Sequence, residues 1–256
     1  MDLNIIARET SGFSGADLAN IMNEAAILAA RRNRKDISSI EFEDAVDRVL
    51  AGPEKKSRVI TQKEKDRIAY HESGHALTAR MLPYADQVHK VSIVSRGRMG
   101  GWTRFLPAEE HHLWTKAQFN ASLSVALGGR VAEEITFNEV STGAQSDLGQ
   151  VTKLARKMVT EYGMSDKLGP RTFGQRQELV FLGREISEQR DYSDKVAEQI
   201  DEEVQNIIHQ AYNTTRKILT ENKAKLQQIA EQLIAKEVIE QPELDKLFGD
   251  LAPQPS

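Results

Sequence analysis

In the stretch "RIAYHESGHALTARMLP", residues 67 to 83, His71 and His75 stand four positions apart with Glu72 between them. On an α-helix, positions i and i+4 share a face with Cβ atoms about 6 Å apart, so both imidazoles can aim a nitrogen at one ion. Zinc accepts histidine at about 2.0–2.1 Å and needs no thiolate. Glu72 lies about 100° around the helix from His71. From there it reaches a water on the metal without ligating the metal itself, which is the placement a general base requires and the reason this pattern marks metal-dependent peptide hydrolysis. The flanking Tyr70, Gly74, Ala76 and Leu77 are apolar or small, so the helix is expected to be largely buried. Two buried histidines beside a buried carboxylate are costly unless something pairs them. A glycine in a helix interior costs about 1 kcal/mol, so Gly74 implies close approach by another group.

A catalytic zinc site of this kind keeps three protein ligands and one open position. The short-range options fail. The sixth residue after His75 is Met81, where a third histidine would be required, and "VHKVSIVSRGRMGG" contains no carboxylate. His89 falls at the start of a strand, where packing or surface exposure explains it. The remaining candidates are Glu109, Glu110, His111 and His112 in a polar loop, Glu133 and Glu134 on an amphipathic helix, and Asp147 near a helix start. Glu133 or Glu134 could orient a zinc-bound histidine. Asp147 is equally explained as a first-turn carboxylate favoured by the helix dipole. Spacing and residue type leave the third ligand open between Asp147 and the Glu133/Glu134 pair.

The elements that must hold these groups are mostly helical. Ser14 with Asp17, and Thr61 with Glu64, have capping-box spacing. Leu18, Ile21, Met22, Ala25, Leu28 and Ala29 form one apolar helical face, and "SSIEFEDAVDRVLAG" repeats that grammar with a stop at Gly52. "PEKKSR" reads as a polar linker, dividing a helical unit over 1–52 from a second domain over 61–248, with a linker at 53–60 and a flexible tail over 249–256. The helix carrying the histidines should end by Pro83. "HKVSIVSR" and "GWTRFLP" read as two short strands joined by a glycine-rich turn. The helix from Lys116 should be interrupted or bent near Gly128 and Gly129, which serve close packing. The chain from Ser193 to about Ile234 should be helical with one break near Glu221 and Asn222. The expected class is mainly α with a small β-sheet.

Composition sets further bounds. The 256 residues carry a net charge of −4 with 39% hydrophobic and 28% charged residues, a balance with no nucleic-acid signature. There are no cysteines, so any metal must be held by His, Asp or Glu. No run approaches the length of a membrane span, and "MDLNIIARET" lacks signal-peptide character, beginning like a cut inside a longer protein.

"GFSGADLANIMNEAAILAARR", "RVLAGPEKKSRVI", "AYHESGHALTARMLP", "HKVSIVSRGR", "LGGRVAEE", "STGAQSDLGQVTKLARKMVTEYGMSDKLGP" and "FLGRE" occur in that order. Together they resemble the C-terminal part of the FtsH family, the membrane-bound AAA+ zinc proteases, over nearly the whole chain to about residue 248. Ser73 departs from the alanine usual there. The resemblance implies a zincin-like helical peptidase domain preceded by a small helical AAA lid. It implies one Zn2+ per chain held by His71, His75 and Asp147, with Glu72 activating a zinc-bound water. It further implies unfolded or membrane-extracted polypeptides as substrates, delivered by an AAA+ unfoldase module, and a homo-oligomer, a hexamer. The parent would be membrane-anchored through N-terminal segments, with this domain on the cytoplasmic, stromal or matrix side, while the fragment itself is soluble. Gly15 and Ala16 match the lid segment near the nucleotide. ATP and Mg2+ belong to the full-length parent alone, because no GxxxxGK[ST] loop occurs in this sequence.

The residues themselves add that a substrate peptide should lie extended along a sheet edge, with Gly101, Trp102, Thr103, Arg104 and Phe105 as the candidate strand. The rival reading, a catalytically silent ring scaffold or assembly module, is opposed by the intact Glu72, since a structural zinc needs no base. A small-molecule metallohydrolase is opposed by the lid.

Overall fold

The computed structural model describes residues 3–54, 60–97, 99–106, 113–174, 191–249 and 251. Glu109, Glu110, His111, His112 and most of the 53–60 linker lie outside them. Among the described residues the helices are α1 (Leu3–Glu9), α2 (Gly15–Arg31), α3 (Ser39–Ala51), α4 (Gln62–Met81), α5 (Lys116–Phe137), α6 (Gln145–Thr160), α7 (Asp194–Glu221), α8 (Lys223–Lys236) and α9 (Gln241–Phe248). The strands are β1 (Gln87–Ser92), β2 (Trp102–Leu106) and β3 (Val238–Glu240), and a 3₁₀ turn covers Thr142–Ala144. The chain is mainly helical with one small sheet, as the periodicity predicts. No described helix is long and apolar enough to cross a membrane.

Helix starts follow their caps. Ser14 and Asp17, Ser38 and Glu41, and Thr61 and Glu64 all form reciprocal capping boxes. Each satisfies backbone N–H groups that a helix start otherwise leaves unpaired. α1 to α3 share a small core of Ile21, Ala25, Phe42, Ala45 and Val46. The larger core is built from α4 to α9 and the sheet, with Leu77, Leu123, Leu219, Leu226 and Leu233 at its centre.

The sheet has the order β2-β1-β3, antiparallel throughout. β3 was not expected. Its three residues, after Lys236, are too short to show alternation, and they become a strand by pairing Val238, Ile239 and Glu240 with Ser92, Val91 and Lys90. β2 is an edge strand beginning at Trp102, so Gly101 precedes it.

α4 packs against α5 backbone to backbone. A Cβ on Gly74 would lie 2.3 Å from the Gly128 carbonyl oxygen, and one on Gly128 would lie 2.6 Å from the Gly74 carbonyl oxygen. α5 nevertheless runs unbroken through Gly128 and Gly129, so the glycines do not interrupt it. The glycines are there for proximity, and the packing of α4 compensates their weak helix propensity.

Gly128→Ala is expected to destabilise the protein by about 1–3 kcal/mol through overpacking. Gly149→Ala, at an exposed helical site with nothing within 4 Å of the added Cβ, should instead stabilise it by about 0.5–1 kcal/mol. Urea or thermal denaturation of the two variants checks both signs. In the smaller core, the hydroxyl and backbone N–H of Ser38, with the Arg32 guanidinium, outweigh burial and hold the Glu41 carboxyl down to about 2. A depressed folded pKa gives stability that is present above the unfolded value of about 4.3 and lost as pH falls toward 2. Acid unfolding followed by circular dichroism should therefore show a limb below pH ~4 that Glu41→Gln diminishes.

Candidate metal centre

α4 presents His71 and His75 one turn apart, both about nine-tenths buried. Their outer nitrogens are committed. His75 Nδ1 lies 2.7 Å from the carbonyl oxygen of Val125, and His71 Nδ1 lies 2.8 Å from Glu133 Oε1. A carbonyl oxygen can only accept, so His75 Nδ1 carries the proton. The ionised Glu133 demands the same of His71, because burial is outweighed by its hydrogen bonds to His71 and Ser141 and its pKa is lowered. With each Nδ1 so committed, both Nε2 atoms face inward, and a cation that displaces the proton held there by His71 meets a lone pair on each ring.

Those two Nε2 atoms are 3.1 Å apart. Asp147, in the first turn of α6, brings Oδ2 to 3.3 Å from His71 Nε2 and 3.7 Å from His75 Nε2. Tetrahedral zinc with bonds of about 2.0–2.1 Å holds its ligand atoms about 3.3 Å from one another. The triangle of 3.1, 3.3 and 3.7 Å therefore fits such an ion, and its two nitrogens and one carboxylate oxygen are a donor set zinc accepts. The electrostatics agree. Burial disfavours a charge on His71, yet hydrogen bonds to Asp147 and Glu133 and the charge of Glu72 push its pKa up to about 10. Asp147, against its own burial, is held well below the usual carboxylate range by the two histidines. The pocket attracts a positive charge at the point where the three acceptors meet.

Glu72 is buried, its carboxylate accepting a 2.8 Å hydrogen bond from the Thr103 hydroxyl on β2. Burial raises its pKa, against the lowering effect of His71, His75 and Thr103. A buried carboxylate held beside the three acceptors and turned aside from them is placed to take up and return a proton. Gly129 makes room for the site. A Cβ there would lie 2.4 Å from His71 Nε2.

Among the carboxylates left open by spacing, the structure separates their surroundings. Asp147 meets both histidines. Glu133 is buried behind His71 and is itself held by Arg67 and the Ser141 backbone N–H at 3.3 and 3.0 Å. Glu134 faces away, accepting from the Tyr212 hydroxyl at 2.7 Å and pairing with Arg216. It does not orient a histidine, because the helix turns it about 100° from its neighbour. His89 is not a surface group. Its Nε2 contacts the buried Glu9 carboxylate at 2.9 Å. Ser73 is fully buried and its hydroxyl has no hydrogen-bond partner among the described residues. Gly15 and Ala16 are exposed at the start of α2.

Three supports escaped sequence reasoning. The Val125 carbonyl has no side-chain signature. Arg67 lies one helical turn before His71, a spacing that signals a shared face but not a shared carboxylate. Thr103 stood only as one residue of a candidate strand.

Comparison with known proteins bears on both parts of the chain. A model of the AAA+ lid domain matches residues 1–44, and one of peptidase family M41 matches residues 58–247. The ATP-dependent zinc metalloprotease FtsH 1 of Thermomicrobium roseum is 59% identical over 255 residues, covering 100% of this chain and 39% of that protein. The FtsH of Chloroflexus aggregans is 56% identical over 257 residues, covering 99% of the chain and 39% of that protein. FtsH 3 of Synechocystis is 52% identical over 255 residues, covering 98% and 41%. The chain thus spans about two fifths of the length of these relatives. With the peptidase model matching well over half of its residues, the chain belongs to peptidase family M41.

Proposed function

We propose that this chain is the lid-and-peptidase portion of an FtsH-type protein and acts as a zinc-dependent endopeptidase on unfolded polypeptides. Residues 1–52 are the lid of the ATPase module, 53–60 the linker, 61–248 the peptidase domain and 249–256 a tail. The observation that carries the reading is the convergence of three acceptor atoms, from His71, His75 and Asp147, beside a buried carboxylate that ligates nothing. A structural metal site has no use for that carboxylate.

Zinc, when bound, lowers the pKa of a coordinated water and polarises a peptide carbonyl. The chain's own residues do the rest. Glu133 and the Val125 carbonyl hold the two imidazoles with Nε2 facing inward. Glu72 accepts the water proton on its carboxylate and returns it to the leaving amine, while the Thr103 hydroxyl keeps that carboxylate in place. The free edge of β2 offers main-chain groups to an extended peptide. Main-chain pairing reads few side chains, so cleavage should be loosely specific. The names of the relatives support coupling to ATP, and the matched lid supports assembly with an AAA+ ring, a homohexamer in this reading. The parent is membrane-anchored, with this portion on the cytoplasmic, stromal or matrix side. Gly15 and Ala16, at the exposed lid helix start, would lie near nucleotide there.

Glu72→Gln should retain zinc and lose casein cleavage by about 10²–10⁴-fold. Elemental analysis with a cleavage assay checks this, and equal cleavage by the variant would refute the mechanism. Asp147→Asn should lower zinc occupancy most, and Glu133→Gln should weaken zinc about 10–100-fold through the misoriented His71. Glu134→Gln should leave it near the parent value. Competition with a chelator ranks the three.

A further inference from the structure

The lid reaches the peptidase sheet through buried charge. Lys90 on β1 and Arg104 on β2 are direct cross-strand partners on one face of the sheet. Like charges placed opposite each other destabilise a strand pair. Both are nevertheless buried, at 8% and 6% exposure. The anions that make this tolerable come from the lid. Asp47 on α3 accepts from Lys90 Nζ at 2.8 Å through one carboxylate oxygen and from Arg104 at 2.7 Å through the other. Glu9, at the end of α1, contacts Arg104 at 2.5 Å and His89 at 2.9 Å. The side chains of Asp47 and Glu9 are almost fully enclosed. Buried charges of this kind are bound to their partners, because separating them leaves an uncompensated charge out of water.

Arg104 follows Thr103 directly, and neighbouring strand residues point to opposite faces. One face of β2 is therefore held by the lid. The other holds the Glu72 carboxylate through the Thr103 hydroxyl, at 2.8 Å. Among the described residues β2 has a hydrogen-bonded neighbour on one side only, so its position depends more than that of an inner strand on what grips its faces. We propose that Thr103 and Arg104 are positioning residues for Glu72: Thr103 holds the base directly, and Arg104, gripped by the lid carboxylates Glu9 and Asp47, fixes the strand that presents Thr103. Lid docking and the readiness of the peptidase site are then one structural event. The proposal rests on the reading of Glu72 as the base.

The test uses the whole chain and two readouts. Amide hydrogen exchange, followed by mass spectrometry, compares β2 with α7 in the parent and in the double variant Glu9→Gln, Asp47→Asn. Exchange over β2 should rise about tenfold or more while α7 is unchanged. β2 exchange within about twofold of the parent overturns the lid grip. Where the double variant also loosens α7, the single variant Asp47→Asn, which keeps the Glu9 contact, decides by the same criterion. The second readout is cleavage of a fluorogenic peptide. Thr103→Val should lower kcat about 10–100-fold, with KM and zinc content nearly unchanged, because a misplaced base fails in the transition state rather than in binding. Thr103→Ser, which restores the hydroxyl, should recover kcat to within about threefold of the parent. An undiminished kcat in Thr103→Val, or no recovery in Thr103→Ser, overturns the positioning role. A parent that cleaves nothing, or a Glu72→Gln variant that cleaves equally, counts against the peptidase reading instead, and the exchange measurement then still decides whether the lid holds the strand.

Discussion

The contact of α4 with α5 at Gly74 and Gly128 sets the geometry of everything around it. With no Cβ on either side, the two backbones meet at distances that any other residue pair would forbid. That proximity lets the Val125 carbonyl and Glu133, both on α5, reach the Nδ1 atoms of histidines on α4. It also leaves room at Gly129 for the His71 ring. A helix pair at the ordinary spacing of about 8–10 Å would separate the histidines from the groups that fix their tautomers, and the inward-facing lone pairs would be lost. Two glycines that weaken their helices in isolation are thus the condition for the site.

Given that contact, the remaining arrangement follows from unlike solutions to the cost of buried charge. Asp147 and the two Nε2 atoms form a cluster of acceptors completed by a cation. Glu72 is buried with one hydroxyl donor, and burial raises its pKa. Glu133 is buried with three partners, so its pKa is lowered instead. Two glutamates within one site are driven in opposite directions, one toward its protonated form and the other toward a fixed negative charge behind a histidine.

The sheet carries a second polarity. Its β2 strand turns Thr103 toward α4 and Arg104 toward α1 and α3, so the same five residues, Trp102–Leu106, touch the buried Glu72 carboxylate on one face and Glu9 and Asp47 on the other. Gly97 adds a backbone contact at the same junction, donating from its N–H to the Pro53 carbonyl at 3.2 Å. The positive φ of 50° at Gly97, and a hypothetical Cβ only 2.7 Å from the Ala51 carbonyl oxygen, explain the glycine there. The glycine-rich turn between the two strands is, at Gly97, a tight packing contact.

Much of the helical frame was legible in the sequence, because its causes are local. Capping boxes, apolar periodicity and the stops at Gly52 and Pro83 lie within a few residues of what they determine. The pairing of His71 with His75 was legible for the same reason, since one helical turn places them together. Short-range candidates for the third ligand could be dismissed by composition alone. The choice among Glu133, Glu134 and Asp147 could not be made that way, because each is plausible on its own helix and only packing says which face meets α4. The same limit hid β3, a strand made by its partner, and the continuity of α5, whose glycines answer to another helix. It also hid Arg104 and Asp47, 57 positions apart in the chain and joined in space. Sequence determined the local donors and the helices that carry them. Tertiary structure decided which distant groups meet them, because burial and charge pairing are properties of contacts between elements.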